Sequence, residues 1–240
     1  MKAAKIHETG CVRKNNEDNY LIMPEESLCA VADGMGGHNA GEIASGIAIA
    51  QLRVQAMKLQ DVTDHDFQKW MIEAVKQANS EVYEVSLKTE GTQGMGTTLT
   101  VLLVRGDKAI IGHVGDSRIY LWRNNTLSLI SEDHSMVNEL VRLGELTEEN
   151  ARNHPHKNVL SRALGVDSQI DVDCYQLETQ PDDVFLLCTD GFSNELGEEE
   201  IAAEFSVLRP LEEHLDILKR LVLKRGAPDN FTAVCCVMER

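Results

Sequence analysis

Four carboxylates stand where apolar runs stop. Asp33 follows Leu28 to Ala32, Asp116 follows Ile110 to Gly115, and Asp190 follows Val184 to Thr189. Asp229 stands just before the run Phe231 to Met238. Any one of them, beside Gly or Asn, is an ordinary turn signal. If the four strand ends converge, the carboxylates share one cleft, repel one another and need a cation. Oxygen donors select a hard divalent ion, Mg²⁺ or Mn²⁺, and no His or Cys cluster has zinc spacing. The densest stretch is Ala32-Asp33-Gly34-Met35-Gly36-Gly37-His38, where three glycines let the backbone bend and approach a ligand closely. Upstream, Arg13 lies close in sequence to Glu17 and Asp18. A guanidinium there can hold the non-reacting oxygens of a phosphate; the alternative is a salt-bridged surface loop.

The elements that must position these groups follow from periodicity. Residues 1–7 read as an edge strand, and 19–23 with 28–32 as a hairpin, the second strand leading into an acidic glycine turn. Helices are expected over about 41–58 and 64–88. The second carries Phe67, Trp70, Met71, Ala74, Val75, Ala78 and Val82 at three- and four-residue spacings, a core stripe. Both should pack on one face of a sheet. From residue 96 the period becomes that of strands: 97–104, 109–114, 118–123 and 127–131 read as an antiparallel meander. A polar segment of about 132–165 interrupts the sheet pattern, as a functional flap would. Strands at 170–177 and 184–189, helices near 198–204 and 211–224, and a last strand at 231–238 complete the chain. Strands in blocks and paired helices, without βαβ alternation, predict an α+β fold of antiparallel sheets with helices outside.

Composition narrows the function. A formal charge of −16 over 240 residues argues against non-specific binding to nucleic acid or to an anionic membrane. No run approaches a membrane span and the first eight residues lack the apolar core of a signal peptide, so a cytoplasmic location is expected. The six cysteines include no C-x-x-C pair, and four lie in apolar strands, which reads as reduced core thiols. Neither repeat nor linker divides the chain, so residues 1–240 are expected to form one domain. His113 reads as a packed core histidine, and His134, His154 and His156 as solvated residues in or beside the flap.

Eight pieces then fall in order: GCVRKNNEDN (10–19), VADGMGGHNAG (31–41), GMGTTLT (94–100), HVGDSR (113–118), EDHS (132–135), NVLSRALG (158–165), LLCTDG (186–191) and PDNFTAV (228–234). Together they span essentially the whole chain, which resembles the metal-dependent serine/threonine protein phosphatases of the type 2C family in their bacterial form. The resemblance implies an α-β-β-α sandwich of two packed antiparallel sheets flanked by helix pairs, with a binuclear Mn²⁺ or Mg²⁺ centre at one end. It implies that Asp33 bridges both ions and that the Gly34 carbonyl binds one of them. Asp190 and Asp229 would bind the other, with Asp18 and Glu17 on the water-mediated side. Asp116 with Asp190 matches residues that hold a third, weaker ion; Arg13 matches the phosphate clamp, Asn230 a residue that orients the centre, and 135–161 the flap.

From that ligand set, a water bridging two ions is acidified until hydroxide is available and attacks phosphorus in line. No phosphoenzyme is needed, since neither a Cys-x5-Arg motif nor a nucleophile elbow is present. Where eukaryotic relatives carry a His after the Asp-Gly, this chain has Met35. That leaves His38 and a metal-bound water as alternative general acids. The expected partners are phosphorylated proteins and a cognate serine/threonine kinase, with the chain itself a monomer. Two other readings stand beside this one. The same centre could serve a phosphodiesterase or a small-molecule phosphatase. A non-catalytic binding module is disfavoured, because the four carboxylates and Arg13 are all present.

Overall fold

The computed structural model describes residues 1–37, 40–63, 66–152 and 154–238. In chain order the elements are β1 (Lys2–Glu8), β2 (Asp18–Met23), β3 (Leu28–Met35), α1 (Ala40–Ala56), α2 (Phe67–Lys88), β4 (Gly96–Thr97), β5 (Leu99–Arg105) and β6 (Lys108–Val114). There follow β7 (Arg118–Arg123), β8 (Thr126–Leu129), α3 (Met136–Arg142), α4 (Glu148–Arg152), β9 (Asp173–Glu178) and β10 (Val184–Cys188). The chain closes with α5 (Asp190–Ser193), α6 (Glu198–Phe205), α7 (Leu211–Lys224) and β11 (Phe231–Val237). One sheet runs β1-β11-β10-β7-β8 and the other β2-β3-β5-β6-β9, with β4 paired to β3. Every pairing is antiparallel. Among the described residues no helix is long and apolar enough to cross a membrane.

The layering follows from side-chain alternation along strands. In β3, Cys29 and Val31 face the other sheet, while Leu28, Ala30 and Ala32 face helices. In β11, Val234 and Cys236 face between the sheets, while Phe231, Ala233 and Cys235 face the other way, toward Leu215, Leu218 and Val222 of α7. Three cores result: α1 and α2 on one sheet, sheet on sheet, and α6 with α7 on the second sheet. Each fully buried Leu or Phe contributes about 1.5–3 kcal/mol. Helix α1 meets its sheet through Ala40, Ala44, Ala48, Leu52 and Ala56, small residues four apart that allow close approach. Both early helices cover one sheet, as their stripes predict. The expected α-β-β-α sandwich is the fold observed.

Two expectations need correction. The glycine-rich stretch is not a turn at Asp33: β3 continues through Met35, with Asp18 opposite Asp33 and Gly34 opposite Thr97. Glycine is required at 34 by crowding. A Cβ there would lie 2.1 Å from the Gly41 carbonyl oxygen and 2.6 Å from that of Glu17. Nor is 97–131 one meander. β5 and β6 belong to one sheet and β7 and β8 to the other, so the chain crosses between sheets at residues 115–117. Gly115 makes the crossing with φ +111°, a conformation open to glycine and strained for other residues. Between β7 and β8, Asn124 and Asn125 each have positive φ, as a two-residue hairpin loop requires. Smaller differences lie at element ends. The strand expected from 170 begins at Asp173, and residues 64 and 65 of the expected second helix lie outside the described residues.

The crowding at Gly34 differs in kind from that at Gly112, where a Cβ would meet side chains alone, the flexible Met71 at 2.7 Å and Val75 at 3.3 Å. Gly34→Ala is therefore expected to lower unfolding free energy by about 3 kcal/mol or more, and Gly112→Ala by about 1 kcal/mol. Urea denaturation of both variants checks the order; equal losses would contradict it.

Candidate metal centre

The sheet ends bring five carboxylates into one cleft. Asp33 lies near the end of β3, and Asp18 opens β2 directly opposite it. Asp116 sits on the crossing between sheets, Asp190 begins α5 just after β10, and Asp229 immediately precedes Asn230 and β11. Asp33 is acted on by the charges of Asp18, Asp190 and Asp116 and shares a side-chain hydrogen bond with Asp190. Asp190 and Asp18 both feel Asp229. Asp18 forms the floor, 2% exposed, while the other four keep an open face to solvent.

Burial and mutual repulsion set the electrostatics. Asp18 is pushed up to about 7, chiefly by burial, against the hydrogen bonds of Thr232 and Thr189 and with the charges of Asp190 and Asp229 adding to the rise. Asp116 also rises to about 7, through burial and then Asp190 and Asp133. Asp33 is driven well above the carboxylate range by burial and then by the charges of Asp18, Asp190 and Asp116. Asp190 is raised too, mainly by burial, although it accepts from Asp33. Like-charged carboxyls this close raise one another in this way.

Hydrogen bonds hold each member. Thr189 Oγ1 donates to Asp18 Oδ2 at 2.8 Å. The Asp33 amide donates to Thr98 Oγ1 at 2.9 Å, and that hydroxyl is 2.7 Å from Ser117 Oγ, tying β3 to the crossing that carries Asp116. Asn230 pins three segments: its Oδ1 accepts from the Glu17 amide at 2.9 Å, and its Nδ2 donates to the carbonyls of Thr9 and Asn15. Arg13 stands exposed at the rim and donates to Asp229 Oδ2 at 2.7 Å. Glu17 is raised mainly by its partial burial. Its Oε2 lies where a Cβ on Gly41 would be, 2.5 Å away. The structure therefore brings together Arg13, Glu17, Asp18, Asp33, Gly34, Asp116, Asp190, Asp229 and Asn230. His38 lies outside the described residues.

The donor set fits a hard cation. The five aspartates offer oxygen donors only, and Asp18 Oδ1 is a buried acceptor with no hydrogen-bond partner among the described residues. Among those residues no three His, Cys, Asp or Glu groups form a ready-made metal cluster. Several of the carboxylates are engaged by protein partners: Asp229 by Arg13, Asp190 by Asn194, Asp18 by Thr189. Thr98, Thr189 and Ser117 were not singled out from sequence, although each lies inside a quoted motif; for Thr189 and Ser117 a hydroxyl adjacent to Asp190 or Asp116 was the available signal. His113 is buried as expected. His134 corrects the expectation of a solvated residue: it is 6% exposed, because its ring packs on His113 at 4.8 Å and both nitrogens are bonded.

A sandwich of two antiparallel sheets between helix pairs, with an acidic oxygen-lined cleft at the strand ends, defines a class of metal-dependent hydrolases. The chain belongs to the protein phosphatase 2C family, whose model matches residues 12–223. It is 37% identical to the serine/threonine phosphatase stp of Listeria welshimeri, over 98% of this chain and 94% of that protein. It is 34% identical to the protein phosphatase PhpP of Streptococcus pneumoniae, over 99% and 98%. Among solved structures, the Mycobacterium tuberculosis serine/threonine phosphatase PstP/Ppp superposes with a TM-score of 0.92 at 35% identity, covering 100% of this chain and 99% of that one. The catalytic domain of PstP in complex with two manganese ions superposes at 0.88 with 34% identity, covering 100% and 98%.

The raised carboxylates carry a sign. A folded-state pKa above the unfolded value means the folded protein binds more protons between about pH 4 and pH 7, so stability falls as pH rises through that window. Chelator-treated protein is expected to melt at lower temperature at pH 8 than at pH 5.5, and excess Mn²⁺ to reverse the loss at pH 8. Calorimetric melting curves check this; a flat profile, or Mn²⁺ without effect at pH 8, would contradict it.

Proposed function

We propose that this chain is a divalent-metal-dependent protein phosphatase that hydrolyses phosphoserine and phosphothreonine, opposing a serine/threonine kinase. The observation that carries the reading is the convergence of five aspartates from separate segments, linked through Asp33 and Asp190, with a buried Asp18 oxygen that has no hydrogen-bond partner among the described residues, in a chain of the protein phosphatase 2C family. Asp33, the Gly34 carbonyl, Asp190 and Asp229 would hold two core ions, Mn²⁺ or Mg²⁺. Asp18 and Glu17 would act through water, and Asp116 with Asp190 would hold a third, weaker ion. Such ions supply Lewis-acid charge on the phosphoryl group and a water acidified toward neutral pH.

The chain's own residues do the rest. Arg13, at the rim beside Asp229, grips the non-reacting phosphate oxygens bidentately and orients the ester. Asn230 keeps the Glu17 amide and the 9–15 loop in register with Asp229. The leaving seryl or threonyl oxygen needs a proton, which His38 or a metal-bound water would deliver. The whole chain acts as one domain, a monomer, with 135–161 as a flap governing access to the cleft. Six free thiols suit a reducing cytoplasm.

Phosphate release from a phosphothreonine peptide tests the reading. Release is expected with Mn²⁺, none with chelator, and a fall of about 10²-fold or more in Asp229→Asn while its melting curve stays cooperative. Metal-independent release, or near-native activity of the variant at saturating Mn²⁺, would overturn it. His38→Ala is expected to slow the phosphopeptide about 10²-fold while sparing p-nitrophenyl phosphate, whose leaving group needs little protonation. Equal slowing of both would remove His38 from the acid role.

A further inference from the structure

His134 is tied to the Asp116 crossing twice. Its backbone amide donates to the Gly115 carbonyl at 2.8 Å, and its ring Nδ1 accepts from the Gly115 amide at 3.0 Å. With Nδ1 an acceptor, the ring proton is placed on Nε2, which faces Asp173 Oδ2 at 3.2 Å and has Arg162 Nη1 at the same distance. Arg162 donates to Asp173 Oδ1 at 2.6 Å, so a single carboxylate orients both His134 and Arg162. The carbonyl of His134 accepts from the Ser161 amide, and the next residue, Ser135, bridges to Leu160 and caps α3. Residues 134–136 and 159–161 therefore form the paired base of the 135–161 segment, with His134 at its inner end. From below, His113 packs its ring on His134, held by Thr100 Oγ1 at 2.9 Å and the Glu132 carbonyl at 3.0 Å.

The amide and the carbonyl of Gly115 thus both bond to His134. The Gly115 φ of +111° is open to glycine alone, and its Cα lies so close to Thr98 that a Cβ would be 2.5 Å from the threonine methyl. We infer that His134 is a positioning residue: it fastens the Gly115–Asp116 crossing to the base of the 135–161 segment, so that the Asp116 carboxylate and the segment are placed by one side chain. This rests on the reading of Asp116 as an ion-holding group. It implies that binding of a divalent ion at Asp116 and ordering of 135–161 are linked, since each stabilises the same arrangement of Gly115.

Full-length protein carrying His134→Ala tests the inference by two readouts independent of turnover: Mn²⁺ titration by calorimetry, and hydrogen–deuterium exchange with Mn²⁺ present. Expected are about ten-fold weaker binding of the weakest Mn²⁺, as for loss of an orienting partner, and faster exchange at Gly115 and across 135–161, with β1 and β11 unchanged. His134→Asn, whose side-chain oxygen can replace Nδ1 as acceptor, is expected to restore most Gly115 protection and most of the affinity. Wild-type Mn²⁺ affinity together with wild-type exchange in His134→Ala would overturn the inference. So would Asn behaving no better than Ala. If His134→Ala does not fold, the Asn variant decides alone by the same two readouts. If wild-type protein binds no Mn²⁺, the functional reading fails, while exchange at Gly115 still decides whether His134 holds the crossing.

Discussion

Repulsion among buried carboxylates is the constraint around which this structure is built. A chain that places Asp18, Asp33, Asp116, Asp190 and Asp229 in one cleft raises several of their pKa values and makes Asp33 and Asp190 share a hydrogen bond. Left to itself such a cluster weakens the fold; neutralised by divalent charge it becomes a rigid set of oxygen ligands. The three hydrophobic cores supply the stability against which that cost is set, and they lie away from the cleft, along the strands rather than at their ends.

The geometry of the cleft follows from how the strands end. β3 runs on through Asp33 and Gly34 because Gly34 and Gly41 carry no Cβ to separate β3 from α1. The crossing at Gly115 brings Asp116 from one sheet toward the other, and Asp190 leads α5 out of β10. Hydroxyls do the joining: Thr98 between Asp33 and Ser117, Thr189 between Asp18 and β11. Loss of one such bond displaces a ligand by a fraction of an ångström, which matters more for catalysis than for stability.

Much of this was legible in the sequence, and the reasons are specific. Period-two runs with acidic ends marked the strands and the carboxylates together, and the α2 stripe marked a helix on a sheet. The sandwich itself came from the order of eight motifs rather than from periodicity. Periodicity could not tell that β6 and β7 belong to different sheets, because a tight crossing and a hairpin both use glycine and a polar residue. The role of Gly34 was misplaced for a related reason: glycine signals both a turn and a close backbone contact. His134 looked solvated because its neighbours in sequence are polar, whereas its environment is made by Gly115, Asp173 and His113, all distant in the chain. The threonine hydroxyls were hidden by their fit to a strand, where Thr is common without any functional reason.

The central claim is that the five aspartates exist to hold divalent ions. Anomalous scattering from crystals grown with Mn²⁺ tests it most directly. The account predicts two strong peaks within ligand distance of Asp33, the Gly34 carbonyl, Asp190 and Asp229, with Arg13 freed from Asp229. Peaks elsewhere on the acidic surface, or none in the cleft at saturating Mn²⁺, would contradict it.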